Sequence, residues 1–80
     1  MNHPVEHYQW VRLCPIKKAR NNISGKKLSN MVGISHGYLK CIETGVKRLP
    51  HRLVKPISEI TGVNPTDFAR EYEIWISLKP

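Results

Sequence analysis

Two short apolar stripes flank a glycine in the middle of this chain, and that arrangement narrows the fold more than any other feature. Leu28, Met31 and Val32 stand at i, i+3 and i+4, Gly33 follows at once, and Leu39 and Ile42 stand three apart before Gly45. Apolar residues at that spacing line one face of a helix. Ser24 and Ser35 stand where a hydroxyl can cap a helix N-terminus. Gly33 stands where a left-handed residue can end one. The spacing predicts helices over 25–32 and 36–43, each about two turns long. Helices that short are not stable alone, so both must pack into a common core, joined by the turn Gly33-Ile34-Ser35.

The remaining punctuation gives three more helices. Cys14-Pro15 opens one over 15–21, with Ile16, Ala19 and Ile23 on one face and Asn21-Asn22 at its end. Proline suits the first helical position because its missing N–H would have no partner there. Leu53, Val54, Ile57 and Ile60 form a fourth stripe ending at Gly62, with Pro56 requiring a kink or a late start. Asn64-Pro65-Thr66-Asp67 opens a fifth helix running to about Arg70 or Glu71. The ends read differently. Tyr72–Leu78, YEIWISL, alternates and is rich in β-branched and aromatic residues, as a strand is. His7–Leu13, HYQWVRL, has similar content. The expectation is two short β-strands pairing with each other or with a partner subunit, a helix extension and an N-terminal arm being the alternatives. Eighty residues then make one mainly α domain. Its parts are residues 1–14 as strand or arm, 15–71 as helical core and 72–80 as a C-terminal strand open to dimerisation.

Charge is concentrated in the same region. Residues 15–55 hold Lys17, Lys18, Arg20, Lys26, Lys27, Lys40, Lys47, Arg48, Arg52 and Lys55 against Glu43 alone, ten minus one or +9, in a chain of net charge +7. A local basic field of this size attracts a polyanion. The bland alternative is a solvated lysine face.

The stretch Ile16–Phe68 resembles the helix-turn-helix family of phage repressors, Cro proteins and related bacterial regulators, often called the XRE family. The resemblance rests on Ile23-Ser24, Leu28, Val32-Gly33-Ile34-Ser35, Leu39, Ile42-Glu43, Gly45, Pro50, Ile60 and Gly62-Val63. Ser29 stands where the family usually has alanine, and Gly25-Lys26-Lys27 replaces its customary glutamine. The resemblance implies a lambda-repressor-like fold of five short helices whose third enters the DNA major groove, which is wide enough for one helix. It implies base readout by Ser35, His36, Gly37, Lys40 and Cys41. Gly37 would act by letting backbone or a thymine methyl approach, and Cys41 has an inert place beside the core as its alternative. Phosphate contacts would fall to Lys26, Lys27, Tyr38, Lys47, Arg48 and Arg52, helped by free N–H groups at the start of the second helix. The family counterpart of Glu43 often pairs with a base of the first helix, here Lys18.

The implied partner is a double-stranded DNA operator bound by a homodimer, with Ile74, Trp75 and Ile76 as dimer contacts. Those three alternate in direction on a strand, so one set would be buried and the other would face the partner. Trp10 and Trp75 are expected in a core rather than stacked on bases. No enzyme is expected, since no catalytic constellation or glycine-rich phosphate loop appears. No cofactor or metal is expected either: Cys14 and Cys41 have no CxxC spacing, and His3, His7, His36 and His51 match no ligand pattern. No apolar run approaches a membrane span and no signal-peptide pattern is present, so a cytoplasmic location is expected. The rival function is an antitoxin or anti-repressor that uses the same fold to hold another protein.

Overall fold

The computed structural model describes residues 6–80, and these form helices and turns with no strand among them. In chain order the α-helices are α1 His7–Arg12, α2 Pro15–Arg20, α3 Gly25–Val32, α4 His36–Glu43, α5 Val54–Thr61 and α6 Pro65–Ser77, with a 3₁₀ turn at His51–Leu53. The central pair forms as its caps predict. Ser24 Oγ accepts from Lys27 N–H at 3.1 Å, and Ser35 Oγ accepts from Tyr38 N–H at 3.0 Å. Gly33 adopts φ +81°, and its N–H donates to Ser29 O at 2.9 Å. Buried Ser29 donates from its hydroxyl to Lys26 O at 2.8 Å, so the position needs a small residue but tolerates a polar one.

Pro56 is resolved by a late start rather than a kink. The chain turns through the 3₁₀ segment, α5 begins at Val54, and Pro56 occupies its first turn. N–H groups there lack intrahelical acceptors in any case. Asn64 Oδ1 caps α6 by accepting from Asp67 N–H at 3.0 Å.

The two terminal strands do not form, and the boundary between 71 and 72 falls inside a helix. His7–Leu13 becomes α1 and its C-cap, and YEIWISL becomes the second half of α6. The reason is helical periodicity that a seven-residue window cannot show. Phe68, Tyr72 and Trp75 stand at i, i+4 and i+7, and all three are buried. From Pro65 to Ser77 no glycine or further proline interrupts the run. The two segments do meet, as helices. Trp10 and Trp75 stack with ring centroids 3.8 Å apart at an interplanar angle of 0°. Each indole N–H donates to the other's backbone carbonyl at 2.7 Å. Both tryptophans belong to the core, as expected, though on helices rather than on paired strands.

A single core cluster draws on every helix: Trp10 from α1, Ile16 from α2, Leu28 from α3, Leu39 and Ile42 from α4, Ile57 from α5, and Phe68, Tyr72 and Trp75 from α6. Cys14 lies fully buried among them, and desolvation pushes its thiol up to about 11. It therefore stays protonated and unreactive at neutral pH.

Candidate nucleic-acid interface

The only acid of the basic segment is removed from its surface. Glu43, at the end of α4, is 3% exposed. Its carboxylate accepts from Arg20 Nε at 2.9 Å and from Arg20 Nη2 at 3.2 Å. Arg20 Nη1 also donates to Ile23 O at 3.2 Å. The fork therefore locks α4 against the end of α2 and the turn that follows it, geometry a lysine cannot reproduce. Lys18, the partner implied by resemblance, points elsewhere. It lines a groove with Pro15 and Glu71, while Arg20 two residues later faces α4. Subtracting Arg20 leaves nine bases between residues 15 and 55 with no acid of that segment beside them. Among the described residues, Lys26, Lys27, Lys40, Lys47 and Arg52 take part in no ion pair.

α4 buries Leu39 and Ile42 and turns its other face outward. Ser35, His36, Gly37 and Lys40 are exposed, and Cys41 is half-buried. Ser35 Oγ, as the cap, accepts from Tyr38 N–H, leaving its hydroxyl proton free to donate. Tyr38 is half-buried and packs on the core, so its ring supports the helix more than it projects from it. The His36 imidazole lies over the start of α3. Its Nε2 is 3.3 Å from where a Cβ on Gly25 would stand. The start of α3 and the side chain of the first residue of α4 thus lie close together.

Gly37 differs from the other glycines. Gly33, Gly45 and Gly62 have positive φ, and Gly25 faces His36 and Arg20. Gly37 has ordinary helical backbone, and a Cβ built on it meets nothing within 4 Å. Gly37 is the second residue of α4, and a glycine within a helix costs up to about 1 kcal/mol relative to alanine. Among the described residues, no neighbour within 4 Å of that Cβ position accounts for it.

The segment after α4 carries Lys47 and Arg48 on a fixed backbone. Val46 N–H and Lys47 N–H both donate to Cys41 O, at 2.9 and 3.1 Å. Lys79 Nζ donates to Gly45 O at 2.8 Å, and Leu49 N–H donates to Tyr72 Oη at 2.8 Å. Burial raises the Tyr72 hydroxyl pKa above its ordinary value, keeping it protonated. Arg48 extends over α6 and pairs with Glu73. Arg52 is exposed on the 3₁₀ turn.

The expected dimer contacts divide differently on a helix than on a strand. Trp75 is buried in its own subunit, Ile76 is half-buried against the same core, and Ile74 is exposed. Exposed Leu13 and Leu78 join Ile74 around a groove of about 250 Å³, floored by Trp10 and Trp75. Sequence reasoning missed Leu13 and Leu78 because it placed both on strands. It missed Arg20 and Glu73 because no local pattern marks a partner 23 or 25 residues away.

No family model, characterised protein or solved structure matches this chain. No described helix is long and apolar enough to cross a membrane.

Proposed function

We propose that this chain is a sequence-specific DNA-binding regulator of the helix-turn-helix type, in which α4 enters the major groove as the recognition helix. The observation that carries the reading is Gly37: a glycine on the exposed face of a helix within the basic segment, with no backbone or packing reason among the described residues. Close approach of an external backbone or base edge supplies the reason. His36 and Lys40 flank it as base readers, Lys40 toward guanine O6 or N7. Ser35 and Cys41 border the same face. Lys26, Lys27, Lys47, Arg48 and Arg52 contribute phosphate contacts, which position the helix without reading sequence. Tyr38 acts as a support.

Gly37→Ala provides a test with opposite signs. The variant should be more stable by up to about 1 kcal/mol, since alanine favours the helix and meets no neighbour. It should nonetheless bind more weakly to a duplex selected by the wild type from a random-sequence pool. His36→Ala and Lys40→Ala should lose roughly 1–3 kcal/mol of discrimination among variants of that duplex. If the pool yields no preferred sequence, or if all three variants keep the wild-type preference, the recognition helix is wrong.

A helix-turn-helix monomer reads few base pairs, and a two-fold dimer reads two half-sites about one helical turn, roughly 34 Å, apart. The groove bounded by Leu13, Ile74 and Leu78 supports a second copy of this chain as its occupant. Its lining includes one base, Lys18, and one acid, Glu71, and no residue of α3, α4 or the 45–52 segment. Two copies facing across a two-fold axis can exchange Lys18–Glu71 pairs around an apolar centre. Ile74→Asp with Leu78→Asp should convert the dimer to monomer in sedimentation at micromolar concentration, with helical content retained. Wild type that sediments as a monomer both free and on DNA would remove the dimer.

A further inference from the structure

Arg48 is one of the phosphate-contacting bases of the DNA reading, yet in the free protein its guanidinium is already engaged by an acid from another helix. Glu73, on α6, accepts from Arg48 Nη2. Both side chains are more than half exposed, so the pair lies at the surface. The ion pair is not what shapes the segment that carries Arg48. That backbone is held by donation from Val46 and Lys47 N–H to Cys41 O, from Lys79 Nζ to Gly45 O, and from Leu49 N–H to Tyr72 Oη. Glu73 therefore acts on the side chain of Arg48 and leaves its main chain alone.

We propose that Glu73 is an internal competitor of the DNA phosphate: its carboxylate occupies the Arg48 guanidinium in the free protein, and binding exchanges that carboxylate for a backbone phosphate. The inference rests on the DNA reading. A guanidinium fork matches carboxylate and phosphate alike, so the exchange needs no change of fold. Its cost is that of one exposed ion pair, which is small and weakened by salt. Because the contact is to phosphate, the effect is blind to sequence. The carboxylate lowers affinity for every duplex equally, which raises the share of binding that must come from base contacts.

The experiment measures binding of the full chain to two duplexes at one low salt concentration: the selected duplex and a random-sequence duplex. Glu73→Gln should bind both about two- to fivefold more tightly, the fold-change corresponding to an exposed pair. Glu59→Gln removes an equal charge at an exposed position of α5, away from the Arg48–Glu73 pair, and measures the general electrostatic gain. In an Arg48→Ala background, Glu73→Gln should fall to the Glu59→Gln effect. A gain no larger than that of Glu59→Gln, a gain that persists without Arg48, or a loss of affinity in Glu73→Gln overturns the competition. Wild type that binds neither duplex overturns the DNA reading and this inference with it. Thermal melts of the variants should stay within a few degrees of wild type, since at most one exposed pair is lost and none of the bonds that hold the segment involves Glu73.

Discussion

Arg20→Ala should destabilise the protein by about 3 kcal/mol, because removing one partner of a buried ion pair leaves the other charged and unsolvated. Glu43 is 3% exposed and takes both its hydrogen bonds from Arg20. A domain of this size has a total stability of roughly 4–12 kcal/mol, so the loss is a large share of it. The melting temperature should fall by roughly 15 °C. Arg20→Lys should recover only part, since an ammonium cannot supply the fork that also reaches Ile23 O. The double variant Arg20→Met with Glu43→Leu should be more stable than Arg20→Ala, because the stranded charge is gone. Thermal and urea denaturation of the three would test this. Arg20→Ala within 1 kcal/mol of wild type would mean that the pair does not hold α4 in place.

Gly45→Ala should be at least as damaging, and for two reasons that can be separated. Gly45 has φ +78°, and a Cβ there would lie 2.5 and 2.8 Å from two carbons of the Trp10 ring. Trp10 cannot retreat. It is stacked on Trp75, and its indole N–H is bonded to the Trp75 carbonyl at 2.7 Å. The left-handed backbone costs a residue with a Cβ about 1–2 kcal/mol, and overpacking a core adds about 1–3 kcal/mol. Gly33→Ala provides the reference: its φ is +81°, but its Cβ would meet nothing within 4 Å. Gly33→Ala should cost only the backbone part, and the difference between the two variants measures the Trp10 clash. Equal costs for both substitutions would show that Trp10 moves aside easily.

These two sites show which features local sequence carried. The bounds of α3 and α4, and the starts of α2 and α6, were legible because each depends on bonds within a few residues. Ser24 to Lys27, Ser35 to Tyr38, Asn64 to Asp67 and Gly33 to Ser29 span three or four positions. Capping residues announce such bonds at fixed offsets. The exposed face of α4 followed from the same phase, since Leu39 and Ile42 point inward while His36, Gly37 and Lys40 do not. The basic block was a matter of counting.

The terminal segments were a different problem. YEIWISL satisfies a period of two over seven residues, and nothing inside that window shows that Tyr72 and Trp75 continue the stripe of Phe68. What decides the matter is the pairing of Trp10 with Trp75 across 65 positions, two large rings that are buried together with both indole N–H groups satisfied. The choice of Arg20 over Lys18 has the same character. Both are bases on one short helix, and only the placement of α4 determines which one meets Glu43. The order, caps and outward faces of the central helices were thus determined by the sequence alone, because hydrogen bonds spanning three or four residues form wherever their donors and acceptors are written. The helical state of the ends, the partner of the buried acid and the apolar groove were decided by tertiary structure. Burial of large rings and pairing of buried charge are paid in contacts between distant residues, and no local pattern records them.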